Sequence, residues 1–222
     1  MIEAIGAILP LAIAVTISPL PIIGEILLLF SKQPVANAGA YLAGFVLGIT
    51  VVLGVLVTAA DAAGLGTSES STSSSGVQVA AGVLLLVGAF RKFRSRPGEG
   101  EEPPEPSWMN GITDFSPAKS FGVGTLIGAA NPKNVAMAFG AAAAISAASL
   151  SNAQTAGTVV VYVVLAGLGV AAPLILTVVR REAAQSILND WKTWLAQNNA
   201  AVMSVLFLVF GVVLLGRGLG GL

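Results

Sequence analysis

Asn131-Pro132-Lys133-Asn134 interrupts an apolar run that extends over about residues 121–150. A lysine at the centre of a bilayer costs roughly 2.5–3.5 kcal/mol on insertion scales, and a proline removes a helix hydrogen bond. Such residues are tolerated at membrane depth where unwound backbone faces a cavity lined by protein rather than lipid. The stretch is therefore a candidate functional site, and it marks a helix broken in mid-course.

Composition sets the class around that site. Of the 222 residues, 55% are hydrophobic and only 10% charged, against about 25% charged in an ordinary soluble domain. Mean hydropathy is +0.86, and several apolar runs are long enough to span. The expectation is an all-α, multi-pass protein forming a single transmembrane domain over residues 1–222. The chain has no cysteine and no histidine, so disulfides, thiol relays and the commonest transition-metal ligands are excluded together. No metal, no cofactor and no nucleic-acid partner is expected. The first apolar run is too long for a signal peptide and lacks a basic leader, so it is read as a helix of the mature protein.

Six spans are expected in chain order. The first run, about 4–30, would be roughly 40 Å long if straight. Ser18-Pro19-Leu20-Pro21 interrupts it, and Glu25 follows four residues beyond Pro21. The second helix, about 38–60, carries Gly44 and Gly48 on one face, a spacing that permits close helix–helix approach. Residues 61–76 are rich in serine and threonine and read as a linker. The third helix, about 77–90, runs into Arg91, Lys92, Arg94 and Arg96, whose stems can snorkel. A Pro/Glu segment follows. Trp108, Ile112 and Phe115 then recur at helical spacing, which predicts a short helix lying on the membrane face. The fourth run, about 118–150, contains the Asn-Pro-Lys-Asn break, with Gly124 and Gly128 before it and Ala136, Gly140 and Ala144 after it. The fifth covers about 156–179. Residues 182–197 read as an interfacial amphipathic helix, separate from a sixth span over about 200–215.

Pro19 and Pro132 lie 113 residues apart, each in the first, overlong helix of a three-helix group. Three spans is an odd number, so the second group enters the membrane from the opposite side. The expected architecture is a 3+3 inverted repeat whose first and fourth helices are broken at proline-containing motifs. Half 1 is about 1–95, a cytoplasmic linker about 96–117, and half 2 about 118–222. Nine of the eleven basic residues fall in loops on one side of this arrangement. The positive-inside rule makes that side cytoplasmic and predicts both termini outside the cytoplasm.

The candidate binding and transport residues are Ser18, Pro19, Pro21, Glu25, Asn131, Pro132, Lys133 and Asn134. Broken helices expose N–H groups that hold anions and carbonyls that hold cations. Lys133 is a cationic donor, and Glu25 is the natural partner or proton carrier. The alternative is that Glu25 and Lys133 form a fixed ion pair that merely locks two kinked helices. No catalytic residues are expected, because Glu25 is the sole embedded acid–base group and no nucleophile or metal constellation accompanies it.

Four passages together resemble the GAP family, the peptidoglycolipid-addressing proteins of the lysine-exporter (LysE) superfamily. They are Ile17-Ser18-Pro19-Leu20-Pro21-Ile22, the Ala40-Tyr41-Leu42-Ala43-Gly44-Phe45-Val46-Leu47-Gly48 run, the central loop to Trp108-Met109 and Ser116-Pro117-Ala118-Lys119, and Ala130-Asn131-Pro132-Lys133-Asn134. Glu25 stands where the family pattern leads one to expect an apolar residue. The resemblance implies six helices in the actinobacterial cytoplasmic membrane and movement of a cell-envelope glycolipid or other amphipathic solute across it. The expected partners are membrane lipids and that substrate, with a homodimer or an envelope-lipid export machine as possible assemblies. Two readings compete: export of a small amino acid or ion, and a non-transporting scaffold for lipid export. An apolar cavity open to the side favours lipid; a closed polar pocket favours the small solute.

Overall fold

The computed structural model describes residues 1–62, 71–96, 111–180 and 183–220. Among them there is no strand. The elements are α1 (Ile2–Thr16), α2 (Pro19–Leu29), α3 (Pro34–Ala62), α4 (Ser71–Arg94), a 3-10 turn (Ile112–Asp114), α5 (Pro117–Ala130), α6 (Pro132–Ala147), α7 (Asn152–Val179) and α8 (Ala184–Gly220).

Proline chemistry sets half of the α-helix starts. Pro19, Pro34, Pro117 and Pro132 each occupy the first helical position, where the missing N–H would have had no partner and the fixed φ suits the helix. Ser116 caps α5 by accepting the Lys119 N–H at 3.3 Å. Ser151 and Gln154 form a reciprocal capping box at the start of α7.

Three described helices, α3, α7 and α8, are long and apolar enough to cross a membrane. A fourth span results if α1 and α2, which meet at a 50° bend, are one broken span. Their outward faces carry apolar residues at helical spacing: Val51 and Val55 on α3, Val160 and Val164 on α7, Val205 and Val209 on α8. In water such stripes would be exposed hydrophobic patches; in lipid they are solvated.

Glycines set the closest approaches. A Cβ added at Gly44 would fall on the Phe121 carbonyl and one at Gly48 on the Thr125 carbonyl, while Gly124 and Gly128 meet the Tyr41 and Phe45 carbonyls. The paired residue numbers rise together, so α3 and α5 are parallel with their backbones in direct contact. Gly82 and Gly211 bring α4 and α8 together in the same way. There Gly82 faces Leu215 whereas Gly88 faces Phe207, so this pair is antiparallel.

Three local expectations change. Residues 71–76, read as the end of a linker ahead of a helix over about 77–90, already belong to α4, which runs from Ser71 to Arg94. The segments read as an interfacial helix over 182–197 and a span over 200–215 are one 37-residue helix, α8. Between Ala184 and Phe210 there is neither glycine nor proline to break it. Asn198 instead turns back on its own helix, donating to the Trp194 carbonyl at 2.9 Å. The helix expected around Trp108, Ile112 and Phe115 is, within the described residues, a three-residue 3-10 turn. Gly111 adopts φ +70° before it, and Ser116 must be extended ahead of Pro117. Ile112 and Phe115 are buried in the core rather than laid on a surface; Trp108 lies outside the described residues.

Candidate functional site where the two broken helices touch

The first break follows from Pro19. Unlike the isolated Pro10 inside α1, it is followed two residues on by a second proline, Pro21; the helix ends before the pair, and the Ser18 N–H turns back to the Val15 carbonyl at 3.2 Å. The Ala14 carbonyl, which Ser18 would have engaged in an unbroken helix, is left over. Lys133 takes it: Nζ donates to the Ala14 carbonyl at 2.6 Å, across 119 residues of chain. The neighbouring Thr16 hydroxyl donates to the Leu165 carbonyl at 2.5 Å, and Gly169 lets α7 lie against the Thr16 carbonyl. The loose end of α1 is thus held by α6 and α7 together.

The second break has the same logic with a different cap. Asn131 is extended between α5 and α6, and its Oδ1 accepts the Lys133 N–H at 3.0 Å. Asn134 reaches back over the break, donating Nδ2 to the Ile127 carbonyl at 3.3 Å. Both amides therefore satisfy backbone that Pro132 leaves unpaired. Lys133 is 5% exposed. At the start of α6 it lies against the positive end of its own helix, a cost of about 0.3–1 kcal/mol. Reaching the negative end of α1 reverses the sign, and a hydrogen bond from a charged donor contributes about 1.5–3 kcal/mol.

Of the eight residues singled out in the sequence, Asn131, Pro132, Lys133 and Asn134 form one connected group, and Lys133 joins it to the end of α1. Ser18 is buried but makes no side-chain cap to α2. Pro19 and Pro21 leave only Leu20 and Ile22 as free N–H donors among the first four residues of that helix. Glu25 stands apart. It is fully buried, neither carboxyl oxygen has a hydrogen-bond partner, and it makes no ion pair with Lys133. Among the described residues the one ion pair is Lys32–Asp114 at 2.9 Å. The fixed Glu25–Lys133 lock is therefore not present in this conformation.

Two buried groups escaped the sequence reading. Tyr41 is fully buried, and its hydroxyl donates at 3.2 Å to the Pro21 carbonyl, one turn before Glu25. Asn37 bridges Ser31 Oγ at 2.8 Å and the Phe115 carbonyl at 2.9 Å, tying α3 to the segment ahead of α5. The available signal was an asparagine four residues before a tyrosine at the start of an apolar run.

Beside the second break lies a cavity of about 810 Å³. Its walls come from α1 (Pro10, Leu11), α4 (Leu84, Leu85), α6 (from Pro132 to Gly140) and α8 (from Val209 to Leu214). The named lining side chains are all apolar. Leu84 is 71% exposed and Phe139 48%, so the cavity opens sideways between helices rather than closing inside the bundle. No group of three or more Asp, Glu, His or Cys suited to a metal ion occurs among the described residues.

The family described as "Sap, sulfolipid-1-addressing protein" matches residues 8–220. No curated protein and no solved structure matches. The match extends over both helix breaks and every cavity-lining residue but Ala7, and it carries no statement about the lysine-exporter superfamily. With nearly its whole length matched, this apolar-faced helical chain belongs to the sulfolipid-1-addressing protein family and is a membrane protein.

Proposed function

We propose that the protein translocates a cell-envelope lipid with a polar head and long apolar chains, the sulfolipid class that its family's name indicates, across the cytoplasmic membrane. The observation that carries this reading is the cavity: about 810 Å³, apolar, open sideways and bordered by Pro132 of the broken helix. A small amino acid or ion would need a closed polar pocket with convergent donors and acceptors. This cavity offers the surface that acyl chains need.

The inverted-repeat plan belongs to the proposal. Counting α1 with α2 and α5 with α6 as broken spans gives six. Exchange of the halves pairs α3–α5 with α7–α1 and maps α4–α8 onto itself. All three contacts occur, with α3–α5 parallel and α4–α8 antiparallel as alternating spans require. Alternating access would open the bundle on either side of the breaks, with Lys133 leaving the Ala14 carbonyl in one of the two states. Glu25, buried without a partner, is the proposed proton carrier. On this reading the termini face outside the cytoplasm, no bond is made or broken, and the partners are membrane lipids and any envelope-export machinery. Membership of the lysine-exporter superfamily stands with these proposals.

The test is transport in proteoliposomes by the wild type and by Pro132→Ala and Lys133→Met variants, using extracted envelope lipids. Loss of movement in both variants is expected. Unchanged flux would remove the breaks from the mechanism, and a wild type that moves amino acids but not lipids would overturn the substrate class.

A further inference from the structure

The end of α4 holds a feature that the proposed mechanism does not use. Arg91, Lys92, Arg94 and Arg96 fall within six residues, and all are exposed. Arg94 lies over the Phe90 ring at 5.7 Å and Arg96 over the Phe93 ring at 4.2 Å. Arg91 and Lys92 have no such contact, and their position on the helix is informative. They follow Leu84 and Leu85, both in the cavity wall, by seven residues. Seven residues are close to two turns, so each basic residue sits on the same strip as its leucine, roughly 10 Å further along the axis. Val87, about one turn after Leu84 on that side of the helix, is exposed as well. One face of α4 is therefore apolar at the cavity mouth and cationic about two turns beyond it.

We propose that this face docks one anionic lipid, with its phosphate or sulfate head on Arg91 and Lys92 and its chains along Val87 and Leu84 towards the cavity. The chemistry shared by such ligands is a net-negative tetrahedral oxyanion, with no cationic group in the same head to neutralise it, on an acyl-chain anchor, which two adjacent cations at a bilayer surface recognise. The common alternative for a basic helix end is solvation, or pairing with the Glu99, Glu101, Glu102 and Glu105 that follow in the chain. Either would leave lipid affinity indifferent to which basic residues are removed. The docking proposal rests on the translocation reading only for where the lipid goes next.

The experiment is native mass spectrometry of the full-length protein in detergent, titrated with phosphatidylglycerol, phosphatidylcholine or inorganic phosphate. Arg91→Gln/Lys92→Gln removes two direct charged contacts to the head, at about 1.5–3 kcal/mol each, and should bind phosphatidylglycerol at least about 100-fold more weakly. Phosphatidylcholine binding should be unchanged, which also shows that the variant is folded. The charge-matched control Arg94→Gln/Arg96→Gln should lose far less. Equal losses in the two variants would overturn the site in favour of a diffuse basic surface, as would no loss in either. Inorganic phosphate displacing the lipid at equal concentration would reduce the site to an adventitious anion position and overturn the lipid claim. Flux is read separately: a wild type that moves no lipid yet shows the Arg91/Lys92 loss refutes translocation and leaves docking standing. Normal flux with undiminished binding by the double variant refutes docking alone.

Discussion

Replacing Lys133 by methionine keeps the length and apolar bulk of the side chain and deletes one hydrogen bond, Nζ to the Ala14 carbonyl at 2.6 Å. That bond joins the two breaks, so it stabilises the conformation in which they touch. A hydrogen bond from a charged donor contributes about 1.5–3 kcal/mol. If it exists in only one of two states, its loss shifts their ratio by about 10- to 150-fold. Global stability should move much less, because taking a charge out of a buried site relieves a desolvation penalty of several kcal/mol. A thermal melt is therefore a poor detector, and accessibility a good one. The chain has no cysteine, so single reporters at Phe139→Cys on the cavity wall and Ile23→Cys in buried α2 give clean thiol labelling. Lys133→Met should slow labelling at the first and speed it at the second, the two factors multiplying to that shift of about 10- to 150-fold. Labelling unchanged at both positions, with flux intact, would refute the claim that this contact holds the conformation.

Gly124→Ala should destabilise the protein by at least about 1–3 kcal/mol, since its Cβ would fall on the Tyr41 backbone. Gly54→Ala, with nothing within 4 Å, should be neutral or stabilising by about 0.5–1 kcal/mol; melts in detergent that rank the pair the other way would undo the packing account. Ala136→Phe places a ring in the 810 Å³ cavity and should abolish lipid flux while leaving the melting temperature near that of the wild type. Undiminished flux would move the lipid path elsewhere. Glu25→Gln should fold normally, since neither carboxyl oxygen has a partner to lose, and should remove any dependence of flux on an imposed proton gradient. Persistence of that dependence would exclude Glu25 as the carrier.

The breaks were legible in the sequence because Pro19 and Pro132 each stand beside a second breaking or capping residue, Pro21 and Asn131, whereas Pro10 and Pro173 stand alone and lie inside α1 and α7 without ending them. The close approaches were half legible. Small residues at Gly44, Gly48, Gly124 and Gly128 announced a contact face, and only the fold shows that each pair meets the other's carbonyls. The partner of Lys133 was out of reach, because a backbone carbonyl freed 119 residues away leaves no mark in residue identity. The pairing with Glu25 was suggested by opposite charge alone, which says nothing about distance. The division of α8 failed for a different reason. A change from amphipathic to apolar pattern marks where a helix meets the membrane, and without glycine or proline it does not mark an end.

The glycine contact of α3 with α5 has a consequence for how the protein is put together. Each sequence half contributes one member of the α3–α5 pair and one of the α4–α8 pair, so neither half encloses a core of its own. A fragment ending near residue 96 would present a bare Gly44/Gly48 groove and an unclaimed Ala14 carbonyl. A fragment starting near residue 111 would carry their complements. The halves are thus co-folding units: expressed alone each should be cleared as unassembled membrane protein, and expressed together they should find one another without the linker.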